Sequence, residues 1–121
     1  MTTAAVHRWS DLPSDSPMAL LSRRRIVGAN VMISQITLEE GCAVPTHAHE
    51  NEQIACVMSG TMRFGVGAED DPDRYEVTVN AGEVLHLPSW VPHSATAIET
   101  SVVLDVFSPT SEGTGIDAHN R

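Results

Sequence analysis

Short apolar-rich runs, punctuated at close intervals by glycine, proline, asparagine and aspartate, leave this chain few folds to choose from. Val31 to Leu38 reads as a strand, stopped by Glu39-Glu40-Gly41. Val44 to His49 and Gln53 to Met58 read as two more, joined by the polar link Glu50-Asn51-Glu52. Ser59-Gly60 is a tight turn into Thr61 to Val66, and the acidic stretch Gly67 to Asp73 is a hairpin loop. Tyr75 to Val79, Val84 to Leu87, His93 to Ile98 and Val102 to Phe107 complete the set. No segment carries helical periodicity of useful length. The pattern predicts an all-β sandwich or barrel. Residues 1–27, with Pro13 and Pro17, read as an N-terminal arm with room for one strand. Residues 28–108 read as the barrel and 109–121 as a flexible tail.

A chain of 121 residues supports one closed core and no second domain. Its net charge of −9 argues against nucleic acid, whose phosphates must be met by clustered Lys and Arg. The basic cluster is Arg23-Arg24-Arg25, read here as a solvated turn, the alternative being a patch for an anionic group at the barrel mouth. No apolar run approaches bilayer length, and the first residues lack the basic-then-apolar pattern of a secretory leader. The expectation is therefore a cytoplasmic protein without a membrane partner. Cys42 and Cys56 then fit reduced, buried thiols filling core space.

Two segments carry the chemistry. In the first, Gly41 is followed after five residues by His47-Ala48-His49, then Gln53, then after six residues Gly60. Histidines two apart on a strand project from one face, and Gln53 can sit beside them on the next strand. In the second, Gly82 is followed after five residues by Pro88-Ser89-Trp90, then Val91-Pro92-His93. Three neutral imidazoles and one amide oxygen make a facial site for one divalent transition ion with positions left open: Zn, Ni, Mn or Fe. A shifted register would let Glu52 or Glu50 ligate in place of Gln53.

These paired segments resemble the two motifs of the cupin superfamily, over residues 41–97. The resemblance implies a single-domain jelly-roll barrel, or double-stranded β-helix, with His47, His49, Gln53 and His93 as metal ligands. Two positions depart from it: Trp90 stands where the second motif carries glycine, and Gln53 where most cupins carry glutamate. An amide leaves about +2 on the metal centre where a carboxylate would leave about +1. That favours polarising a substrate oxygen over activating dioxygen.

By alternation, Asp105 shares a face with Phe107 and lies either at the surface or inside the cavity, while Val102, Leu104 and Val106 look built for packing. The string Asp105-Val-Phe107-Ser-Pro109 resembles the small cupins of pectin and alginate degradation, which open unsaturated monouronates to keto sugars. That resemblance implies Asp105 as the acid/base group and Phe107 as a wall of the substrate pocket. The arginine that family carries two residues after the proline is Ser111 here. The resemblance also implies a homodimer paired through sheet edges. His86 reads as structural, His7 and His119 as terminal residues without chemistry, and Met58, Met62 and Phe64 as ordinary core, the alternative being the lining of an apolar pocket. The function expected is metal-assisted proton transfer on a small polar carbonyl compound, of isomerase or lyase type. The rivals are an iron dioxygenase and a non-catalytic binding cupin.

Overall fold

The structure, a computed structural model, describes residues 3–111. After a short 3-10 turn at Trp9–Asp11 come nine strands: β1 Leu21–Val27, β2 Met32–Leu38, β3 Ala43–His47, β4 Glu52–Ser59, β5 Thr61–Val66, β6 Tyr75–Asn80, β7 Val84–Leu87, β8 His93–Ala97 and β9 Ser101–Ser108. They form a five-stranded sheet in the order β1-β2-β9-β4-β7 and a four-stranded sheet in the order β3-β8-β5-β6. Every pairing is antiparallel. The two sheets close over one apolar core that includes Ile36, Leu38, Val57, Met62, Phe64 and Val103. This is the jelly roll that the strand spacing and the paired motifs predict.

Turn glycines make the closure possible. Gly60 holds φ at 85°, and a Cβ there would fall 2.2 Å from Ser101 Oγ and 2.5 Å from the Thr100 carbonyl oxygen. No side chain fits between β4 and β5 at that point.

Several expectations are corrected by the register. The three arginines are part of β1 rather than a solvated turn, and Arg23 is buried against Asp15, 2.7 Å from its carboxylate. An isolated bridge between Asp15 and Arg23 lays the arm along the same edge. On β9 the inward face is Ser101, Val103, Asp105 and Phe107; the apolar set Val102, Leu104 and Val106 faces out. Met58 is exposed on β4, and Cys56 is only half-buried, whereas Cys42 is fully buried. The tail beyond Ser111, with His119, lies outside the described residues. Among those described, no helix is long and apolar enough to cross a membrane.

Candidate metal centre

β3 reaches the site through an irregularity. Val44 pairs with Ala95 and His47 with His93, so one extra residue is inserted between them. Regular pairing would set Thr46 opposite His93 and turn His47 outward; the bulge turns it in. Proline is tolerated there because β3 is an edge strand, and the Pro45 carbonyl accepts from His47 Nδ1 at 2.8 Å. His49 lies just past the strand, where its carbonyl accepts the Trp90 amide at 2.8 Å. His93 opens β8, and Gln53 stands on β4 opposite Phe107.

The three imidazoles converge. Ring centroids lie 4.3 Å apart for His47 and His93, 5.1 Å for His49 and His93, and 5.6 Å for His47 and His49. Their ligand nitrogens lie within 4.8 Å of one another. Each ring's Nδ1 is matched to a backbone carbonyl: Pro45 for His47, Asn51 for His49 at 3.0 Å, Val91 for His93 at 2.9 Å. Such bonds place the proton on Nδ1 and leave Nε2 as a lone-pair donor, the state a metal needs. Among the described residues, His93 Nε2 is the one buried side-chain polar atom left without a hydrogen-bond partner. A buried nitrogen with nothing to bind is costly unless something fills its place. Burial, with a smaller contribution from the neighbouring His47 and His49, pushes His93 down to about 4, against the weaker opposing pull of the Val91 carbonyl. It is neutral at ordinary pH.

Gln53 completes the ring of donors. Its Nε2 donates to Asp105 Oδ1 at 3.0 Å, which directs its Oε1 toward His49, 3.2 Å from Nε2. Asp105 thus fixes which end of the amide faces the histidines. The carboxyl itself is buried, and desolvation raises it to about 7 despite the bond from Gln53. Phe107 packs edge-on against His49 with centroids 5.8 Å apart. These residues line a cavity of ≈ 40 Å³ that continues down to Ile36, Met62 and Val103.

Residues 34–107 match the cupin domain family.

The chain belongs to the cupins.

Among solved structures, this cupin is similar to KdgF from a Halomonas species at 21% identity, with a TM-score of 0.80 over 91% of this chain and 97% of that one. It is equally similar to an RmlC-like cupin from Shewanella frigidimarina, at 22% identity and a TM-score of 0.80 over 91% and 95% of the two chains. Oxalate decarboxylase from Lactobacillus farciminis matches at 18% identity and a TM-score of 0.78, over 93% of this chain but 36% of the larger enzyme. No curated protein matches by sequence. At these identities the likeness shows the fold.

The structure brings His47, His49, Gln53, His93, Asp105 and Phe107 into one cavity. It does not bring the rival ligands there: Glu50 is exposed, and Glu52 points outward to His86, 2.6 Å from Nε2. Met62 and Phe64 line the cavity as well as the core. Asn51, read from sequence as part of a polar link, is buried; its carbonyl orients His49 and its amide donates to the Pro109 carbonyl. An asparagine between two glutamates carries no sequence signal of that task. Trp90 takes φ of 65°, the left-handed backbone for which the family keeps glycine, and its ring is exposed.

Proposed function

We propose that this cupin is a metal-dependent enzyme that moves a proton on a small polar carbonyl or enol compound, as an isomerase or lyase. The observation that carries this reading is Asp105: a buried carboxyl bonded to the amide of Gln53, on the cavity wall that also holds the three histidines. The residues fit one divalent ion, with His47, His49 and His93 giving nitrogens and Gln53 an oxygen. When bound, that ion supplies Lewis acidity toward a substrate oxygen.

The protein's own groups do the rest. Asp105, whose carboxyl is raised above its ordinary value by burial in the metal-free fold, is a group on the cavity wall that can accept and give a proton, the role of a general acid/base. Its bond from Gln53 Nε2 keeps the carboxyl aimed along the cavity wall. Phe107 and the apolar floor exclude water from the reacting end of the substrate. A cavity of ≈ 40 Å³ admits that reacting end, with the remainder of the substrate at the mouth. The string Asp105-Val-Phe107-Ser-Pro109 makes unsaturated uronates the first substrates to try, with other small keto and hydroxy acids beside them.

The test is turnover by protein reconstituted separately with Zn, Ni, Mn and Fe, followed by NMR under anaerobic conditions. Product formed without oxygen by a redox-inert ion supports the proposal. Turnover confined to iron and matched by oxygen uptake would assign a dioxygenase, and metal-tight ligand binding without turnover would assign a binding cupin.

A further inference from the structure

The three consecutive arginines of β1 meet three different surroundings. Arg24 pairs with Gln35 on the outward row. Arg23 is buried, and its charge is met by Asp15 at 2.7 Å. Arg25 pairs with Ser34, and Ser34 with Asp105, so all three stand on the inward face of the five-stranded sheet. Arg25 is half-buried there and lines two hollows. One, of ≈ 300 Å³, lies between β1 and the arm, with Ser14, Asp15 and Arg23. The other, of ≈ 490 Å³, is lined by Arg25, Val27, Thr110 and Ser111. Two observations put this second hollow at the metal end of the barrel. Val27 is level with Met32, Phe107 and Gln53 through successive pairings. Asn51, whose carbonyl holds His49, donates its amide to the Pro109 carbonyl, one residue before Thr110. Arg25 and Asp105 are two strand spacings apart, about 10 Å between backbones.

We propose that the hollow at Arg25, Thr110 and Ser111 binds the carboxylate of a small acid whose carbonyl or hydroxyl end enters the cavity. The inference rests on the reading of that cavity as a site for a small polar substrate. Three features select a carboxylate. The first is the donor set. A guanidinium presents a planar fork that meets a carboxylate through two parallel N–H···O bonds, and two hydroxyls stand beside it. The second is the local charge. Among the described residues, the charged side chains lining the two hollows are Arg23, Arg25 and Asp15, two positive and one negative. A monoanion balances that surplus, whereas a phosphate dianion would exceed it beside Asp15.

The third is the rim of the other sheet. There the acidic hairpin between β5 and β6 is tied down beside the ligand strands. The Gly67 amide donates to the Pro92 carbonyl at 2.8 Å, next to His93. Thr46, next to His47, donates to Glu69 Oε1 at 2.5 Å. In a chain of net charge −9, an anionic group is repelled from that rim and accepted at Arg25. The uneven charge of the mouth therefore orients an acid, carboxylate toward β1 and reacting end toward Asp105.

The test reads binding without turnover, so its outcome is separate from that of the reaction. Galacturonate, pyruvate and lactate are titrated into full-length protein, zinc-loaded and metal-free, each beside its neutral counterpart: galactose, hydroxyacetone and propylene glycol. The Arg25 Nε–H resonance is followed by NMR. At least one acid should shift it saturably and bind about tenfold or more tightly than its neutral counterpart. Arg25→Gln should weaken that acid by about the same factor and leave the neutral compound unchanged. Arg25→Lys should fall between, since the charge stays and the fork is lost. Arg24→Gln, on the outward row, should bind as the wild type does. The wild-type resonance keeps the proposal testable if Arg25→Gln does not fold. The proposal is overturned if no acid moves that resonance, or if acids and neutral counterparts bind alike. It is equally overturned if inorganic phosphate binds there more tightly than every acid. An acid preference carried by Arg25 without turnover of any acid would sink the proposed reaction and keep this site.

Discussion

The same strands build both ends of the barrel interior, and the two ends have opposite chemistry. At one end Leu38, Val57, Met62, Val79 and Ala97 pack together, and the polar side chain beside them, Ser101, is taken up by backbone hydrogen bonds at Thr61 and Glu99. At the other, the inward positions of those strands become His93 on β8, Gln53 on β4, and Asp105 with Phe107 on β9. Along β8 the inward sequence is Ala97, Ala95, His93; along β4 it is Val57, Ala55, Gln53. Along these two strands small residues lie between the packed end and the donors, and Ala95 lines the cavity together with Leu38 and Met62 of the packed end. The comparison teaches that the donors are positioned by register with a close-packed floor rather than by loops, which is what holds a ligand set in geometry before its ligand arrives. His49 is the exception, and it is tied down separately by Asn51 and Trp90.

If that division is real, substitutions at the two ends must fail differently. The largest effect is expected at His93: His93→Ala should abolish tight metal binding and activity together, read by elemental analysis and turnover. A variant that kept its metal would remove His93 from the ligand set. Asp105→Asn comes next. It keeps the volume and an acceptor for Gln53 but loses the proton, so turnover should fall by ~10²–10⁴ with metal content retained. Normal turnover would end the acid/base assignment.

At the floor, Leu21→Ala should cost about 2–5 kcal/mol of stability, seen in denaturant midpoints, while the metal-to-protein ratio stays at the wild-type value. Loss of metal at that position would mean the two ends are not separable.

The smallest effect is a pH dependence in metal-free protein. Asp105 is at about 7 in the fold against 3.8 in the open chain, so the folded state takes up its proton first and stability rises as pH falls from 7 toward 4. His93 runs the other way: at about 4 in the fold against 6.5 outside it, it withdraws stability as pH falls from 6.5 toward 4. The two largely offset in the wild type. Asp105→Asn removes only the first, so its melting temperature should exceed the wild type's at pH 8 and decline on acidification. A flat difference between the two proteins across that range would contradict the assigned burial.

What could be read from the sequence follows the same division. The strands and turns were legible because turn glycines such as Gly41, Gly60 and Gly82 do hold positive φ, and because apolar alternation follows strand geometry. The grouping of His47, His49, Gln53 and His93 was legible from the spacing of the two motifs. The way His47 gets there was not: His47 and Val44 lie an odd number of residues apart, and only the bulge lets both face inward. Alternation alone left the inward face of β9 open, because its other face is equally apolar; the resemblance of Asp105-Val-Phe107-Ser-Pro109 pointed to the side that the cavity takes. Arg23 was misread because its burial depends on Asp15, eight residues away through the arm. Where a residue's fate rests on a partner brought by folding, local pattern is silent.

Trp90 puts a practical instrument at the polar end. The chain has two tryptophans, one in the arm and one on the turn whose amide holds His49. With Trp9 replaced by phenylalanine, all indole emission would come from a ring in solvent three residues before His93. Under the proposed function, metal titrated into that variant is expected to change this emission through the turn that ties Trp90 to His49, a signal that can be followed in a cuvette before any substrate is known.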